Sequence, residues 1–170
     1  TGQQGWQDVQ AMAASAAAAC QAQLDQALVM STGIIGEYLP MEKVLPAAGQ
    51  AVLELRNDQA AFMAAASGIL TTDQGPKVAS TALEIDGQQV RLAGMAKGAG
   101  MIGPNMATML CFVVTDAAVT QEFLRAILPD VADATLNMLT IDGDTSTNDS
   151  LVILAKGVAG NSPISTGSAD

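Results

Sequence analysis

A chain of 170 residues, 49% of them hydrophobic, is long enough for one ordinary domain with a sizeable core, but aromatics at 3% leave that core to Ala, Leu, Ile, Val and nine methionines. The net charge of −10, with seven basic residues scattered from Lys43 to Lys156, excludes a basic surface for a nucleic-acid backbone and makes the acidity a solubility feature. With no histidine, every Ser-His, Cys-His or His-metal arrangement is excluded within the chain; Cys20 and Cys111 form neither a disulfide framework nor a metal-ligand spacing. The longest apolar stretch, AMAASAAAAC (11–20), is about half a membrane span, and no signal peptide is evident, so a soluble, cytoplasmic protein without membrane partners is expected. Thr1 in place of a start methionine and the finish at SPISTGSAD read as interior points of a longer chain.

Residues 7–24 predict a helix, with Trp6, Val9, Ala13, Ala16, Cys20 and Leu24 stepping by three or four along one apolar stripe. Residues 27–30 read as a short buried strand ending at Ser31-Thr32-Gly33, where backbone N–H groups beside a glycine can point at an anion. Prolines at 40 and 46 predict a short helix over 40–44 and a longer one over 46–55, because proline suits a first helical turn. A third helix covers 58–67, with Asp58 as N-cap. Strands follow over 77–86 and 88–96, joined by the hairpin signal Asp86-Gly87. A strand over 108–115, a helix from the Thr120 cap to Ile127, a second helical segment from Pro129 to Asn137, and strands over 138–142 and 150–157 complete the reading. Strands joined by hairpins and by helices indicate an α/β or α+β layered domain.

The stretch from Ala93 to Ala117 carries the chemistry. Gly98-x-Gly100-x-x-Gly103 has the form of a dinucleotide fingerprint, but five residues including Pro104 leave no room for the required helix before Met109. The other reading is a strained turn feeding the hydroxyl of Thr108 to the start of an apolar strand. Such a nucleophile needs a base: a lysine, a carboxylate, or its own α-amine once the chain is cut before it. Spacing alone leaves all three open. Lys97, among glycines at a strand end, could hold a substrate carboxylate or developing negative charge. In the acidic loop GDTSTND (143–149), Asp142, Asp144 and Ser146 alternate as in a calcium loop, but Thr147 and Ile153 replace its glycine and glutamate.

KGAGMIGPNMATMLCFVVTDA (97–117) resembles the self-cleavage segment of the ornithine acetyltransferases, the bifunctional glutamate N-acetyltransferase/amino-acid acetyltransferase family. The likeness continues in STGIIGEYLPMEKV (31–44), LTTDQGPK (70–77) and IDGDTSTNDS (141–150), and so covers essentially the whole chain in four ordered motifs. The resemblance implies self-cleavage between Ala107 and Thr108, with Thr108 becoming an N-terminal nucleophile. Residues 1–107 would then end an α chain and 108–170 begin a β chain, paired as an α2β2 assembly. It implies that Thr32 and Gly33 form the oxyanion hole, that Thr71, Lys97 and Thr108 bind substrate, and that no metal or organic cofactor is needed. The implied reaction moves acetyl from N2-acetylornithine to glutamate in arginine biosynthesis; some members also take acetyl-CoA as donor. The implied fold places sheets between helical layers, similar to N-terminal-nucleophile hydrolases. A further catalytic-site glutamate and two C-terminal binding residues of the family lie beyond residue 170. The rival readings are a related self-cleaving aminopeptidase or amidase, with water as acceptor, and a non-catalytic acidic binding domain.

Overall fold

The computed structural model describes residues 2–34, 36–103 and 109–166. They fall into two compact units, one up to Phe62 and one from Met63.

In the first unit an alanine-rich helix, α1 (Gly2–Ala19), packs on α2 (Met41–Leu53). Its buried residues are Asp8, Ala13 and Ala17; Ala13 belongs to the expected stripe and Ala17 lies beside it, Asp8 is on another side of the helix, and Trp6 of the stripe stays exposed. The small side chains of Ala13 and Ala17 allow close approach of a neighbouring element, and Asp8 accepts from Gln4 Nε2 at 2.9 Å. Gln21, left-handed at φ 54°, ends the helix, and the Ala22 N–H closes onto the Ala17 carbonyl at 2.8 Å. The strand expected over 27–30 is absent. Ala27 is extended, but among the described residues the stretch finds no ladder partner, and a strand needs one for its main-chain polar groups. The two helices expected over 40–55 are one. Pro46 costs α2 a single hydrogen bond near its start, where the helix carries on through it.

The boundary between the units falls within α3 (Gln59–Gly68). The expected cap is present: Asp58 Oδ1 accepts from the Ala61 N–H at 2.7 Å. Beyond it, β1 (Lys77–Ile85), β2 (Gln88–Lys97), β3 (Leu110–Thr115) and β4 (Ser150–Ala155) form one sheet in chain order. The first two junctions are antiparallel and the last is parallel. Asp86 and Gly87, both at positive φ, make the two-residue turn that the sequence predicted. The parallel step needs a crossover, supplied by α4 (Gln121–Ala134), whose Thr120 Oγ1 accepts from the Phe123 N–H at 3.2 Å. Like α2, α4 continues through its proline, Pro129, where a break was expected.

One face of the sheet and α4 flank a half-open apolar cavity of about 440 Å³, lined by Val90, Cys111, Val113 and Ile153 from the sheet and by Phe123 and Leu128 from the helix. The strand expected over 138–142 is a 3₁₀ turn, Leu136–Met138, followed by loop. The N–H groups of Ile141, Asp142 and Gly143 all turn onto the Ile102 carbonyl, at 2.7, 3.2 and 3.2 Å, so they cannot serve a ladder.

The small-residue stretch after β4 is tied down. Asn161, 5% exposed, accepts the Ala118 N–H at 2.9 Å and donates to the carbonyls of Ala118 (3.1 Å) and Ser162 (2.8 Å), beside the isolated bridge Val119–Ile164. Asn161→Ala strands the Ala118 N–H and leaves the Ala118 carbonyl to the Ile164 N–H alone, at 3.0 Å, and is expected to cost about 1–3 kcal/mol in urea denaturation. A loss below about 0.5 kcal/mol would show that water replaces these bonds.

Candidate active site

Three strand ends meet in one row. In the sheet register Lys97 stands opposite Leu110, and Leu110 opposite Ser150, so the last residue of β2 and the first of β3 and β4 lie side by side. Paired residues share a face, and side chains alternate along a strand. Lys97 is therefore on the face opposite Cys111, Leu151 and the cavity under α4. Burial pushes the Cys111 thiol up in pKa, which keeps it protonated and unreactive.

Lys97 is 2% exposed. Its Nζ has one long contact, a donation to Thr71 Oγ1 at 3.5 Å, and it forms no ion pair among the described residues. Desolvation holds its pKa below the ordinary lysine value. The carboxylates of Asp73 and Asp149 oppose that fall, and the Lys77 ammonium adds to it.

The two carboxylates are placed alike. Asp73, its side chain fully buried, accepts the Gly98 N–H at 2.8 Å and pairs with Lys77 through the same oxygen. Burial works against its charge, but Lys77 and the Gly98 and Thr71 main chain outweigh this and leave its pKa low. Asp149 accepts the Met109 N–H at 2.6 Å, and the Ser150 N–H donates to the Met109 carbonyl at 2.9 Å. Desolvation is the larger influence on Asp149 and raises its pKa, offset in part by the Met109 amide and Lys97. The second oxygen of each, Asp73 Oδ2 and Asp149 Oδ2, is buried without a hydrogen-bond partner among the described residues.

The glycine-rich loop after Lys97 is clamped to the loop before β4. Asp142 accepts the Met101 N–H at 2.6 Å through Oδ2 and the Ile102 N–H at 2.8 Å through Oδ1, while the Ile102 carbonyl collects the three N–H groups of 141–143. Gly103 is required by this approach: a Cβ there would lie 2.7 Å from the Gly143 carbonyl oxygen. The acidic loop is thus a brace whose carboxylates bind main-chain N–H groups. Among the described residues no group of three His, Cys, Asp or Glu is arranged to hold a metal.

Of the site residues read from sequence, Lys97 and Thr71 are brought together in the second unit. Thr32, half-buried, and Gly33, exposed, lie on the irregular stretch of the first unit; a Cβ at Gly33 would meet nothing within 4 Å. Ala107 and Thr108 lie outside the described residues. Sequence reasoning missed Asp73, Asp142 and Asp149. Their signal was position: each is an acid within or beside a loop that borders a strand of the row.

The model of the ArgJ family matches residues 1–169. The chain belongs to the ArgJ family. Arginine biosynthesis bifunctional protein ArgJ of Thermotoga neapolitana is 46% identical over 164 residues, 96% of this chain and 41% of the relative. Its counterpart in Listeria monocytogenes is 48% identical over 170 residues, all of this chain and 42% of that one. A relative from Meyerozyma guilliermondii, 43% identical over 168 residues (99% of this chain, 38% of that one), is named as mitochondrial. The chain thus spans about two fifths of the curated ArgJ relatives it matches. The crystal structure of ArgJ from Bacillus halodurans is similar at a TM-score of 0.57 and 34% identity, over 65% of this chain and 55% of that one. The mixed α/β class expected from sequence is the one this ArgJ-family chain has. Among its described residues no helix is long and apolar enough to cross a membrane.

The amides of Met101 and Ile102 hold the Asp142 pKa below its ordinary value. A depressed carboxylate supports the folded loop above its unfolded pKa, and that support fades as pH falls through the lower folded value. The amide resonances of Met101 and Ile102 should therefore hold steady down to the ordinary carboxylate range and move only below it. Asp142→Asn, with one acceptor oxygen in place of two, should speed exchange of one of these amides about tenfold or more; unchanged exchange would contradict the clamp.

Proposed function

We propose that the protein of which this chain forms part is an acetyltransferase of arginine biosynthesis, moving acetyl from N2-acetylornithine to glutamate through Thr108. The observation that carries the reading is Lys97, buried beside Thr71 and without an ion pair among the described residues, opposite Leu110, which follows Thr108 by two residues in the chain. A desolvated ammonium without an ion-pair partner favours an anionic ligand, and both substrates are amino acids bearing carboxylates. Family membership over residues 1–169 supports assigning Thr32 and Gly33 to the oxyanion hole, Lys97 and Thr71 to substrate, and Ala107–Thr108 to the cleavage site.

The chemistry has a fixed order. While Thr108 is within a peptide bond its nitrogen is a non-basic amide. Its hydroxyl attacks the Ala107 carbonyl; the peptide bond breaks as an ester forms, which frees the α-amine, and water then hydrolyses that ester to release the Ala107 carboxylate and restore the hydroxyl. The amine then takes the hydroxyl proton as the oxygen attacks the acetamide; ornithine leaves with a proton and acetyl remains as an ester on Thr108. The glutamate amine attacks this ester, restoring the hydroxyl. Thr32 and Gly33 hold the oxyanion in both halves. On this reading residues 1–107 belong to the α chain and 108–170 to the β chain of an α2β2 enzyme in the cytoplasm.

In the enzyme of full family length, mass spectrometry should find a fragment beginning at Thr108 without added protease, and Thr108→Ala should abolish cleavage and acetyl transfer together. Cleavage persisting in the Ala variant would assign it to another protease; full activity of uncut protein would exclude the α-amine as base. Lys97→Met should raise KM for N2-acetylornithine about tenfold or more while changing KM for its neutral carboxamide analogue little. Equal effects on both would remove Lys97 from carboxylate binding.

A further inference from the structure

Asp149 belongs to none of the roles above, yet it touches the site from two sides. Its Oδ1 fixes the N–H of Met109, the residue that follows Thr108 in the chain, while the neighbouring Ser150 N–H fixes the Met109 carbonyl. Both main-chain groups of the residue after the nucleophile are thereby held by the first residues of β4 and the residue just before them. The Oδ2 of the same carboxylate is buried without a hydrogen-bond partner among the described residues. The register sets Lys97, Leu110 and Ser150 in one row, so Asp149 enters at the end of the row that carries the buried ammonium. A buried carboxylate oxygen without a donor is costly unless a cation answers its charge, and a buried ammonium without an ion pair is costly for the same reason.

We propose that Asp149 is a positioning residue of the active site: one oxygen fixes the main chain beside Thr108, and the other is a counter-charge for Lys97, so that the nucleophile segment and the substrate-binding cation are held by a single carboxylate. The proposal rests on the acetyltransferase reading for the roles of Thr108 and Lys97. The charged groups that act on Lys97 are Asp73, from the segment before β1, Lys77, at the start of β1, and Asp149, before β4. Asp73 is committed to Lys77 and the Gly98 amide, which leaves Asp149 as the carboxylate free of any other cation among the described residues.

Two variants of the enzyme of full family length separate the two functions of the side chain. Asp149→Asn keeps an oxygen for the Met109 N–H and removes the charge; Asp149→Ala removes both. Amide exchange at Met109 should be near the wild-type rate in the Asn variant and faster by about tenfold or more in the Ala variant. The Lys97 ammonium, followed by side-chain NMR, should lose its proton at lower pH in both variants, by about 1 pH unit. The sign follows from charge: a carboxylate favours the protonated lysine, and its loss disfavours it. The alkaline limb of kcat/KM for N2-acetylornithine should move to lower pH with it, and self-cleavage at 107/108 should slow in the Ala variant more than in the Asn variant. Thermal melts of both variants check that the fold is retained. Unchanged Lys97 titration in both variants, or unchanged Met109 exchange in the Ala variant, overturns the proposal. These two readouts need no turnover, so they decide it even if the acetyltransferase reading fails, and that failure shows separately as absent Thr108 cleavage in the wild type.

Discussion

A lysine buried to 2% exposure, without an ion pair among the described residues, is the constraint around which the second unit is arranged. Removing an ammonium from water costs several kcal/mol unless its surroundings answer the charge. Here the answer is distributed: a threonine hydroxyl at 3.5 Å and two carboxylates that act through space while each holds a main-chain N–H. Among the described residues no carboxylate comes within ion-pair distance of the ammonium. The strands bring these groups together by register, since β2 ends where β3 and β4 begin.

The loops depend on the same economy of main-chain bonding. The Ile102 carbonyl gathers three N–H groups and Asp142 gathers three more, from Met101, Ile102 and Asp144, so segments some forty residues apart are locked without a strand between them. This explains both the glycine at 103, where a Cβ would strike the Gly143 carbonyl oxygen, and the conversion of the expected strand at 138–142 into loop. On the other face, α4 and the sheet flank a half-open, mostly aliphatic cavity, in keeping with a composition poor in aromatics. The site face and the cavity face are separated by the alternation of side chains along β3.

Where local chemistry decides structure, the sequence was legible. Asp86-Gly87 specified its turn, Asp58 and Thr120 specified their caps, and the apolar runs at 109–114 and 150–155 became strands. Where partners decide, it was not. Residues 27–30 have strand composition but no ladder, and Pro46 and Pro129 lie in helices that packing carries through them. Of the candidate site, Lys97 and Thr71 were readable from their motifs. Asp73, Asp142 and Asp149 were not, because their partners are main-chain amides 25, 40 or 41, and 40 residues away, a separation that leaves no periodic trace.

The proposed route for acetyl runs through the hydroxyl of Thr108, the residue before Met109 in the chain. The direct measurement is to mix the full-length enzyme with N2-acetylornithine in the absence of glutamate, quench in acid, and locate the modification by peptide mass spectrometry. The account predicts one acetyl group, on the oxygen of a peptide that begins at Thr108, discharged when glutamate is added before the quench. Turnover with no acetyl at Thr108, or acetyl held on another residue and released to glutamate, would contradict it.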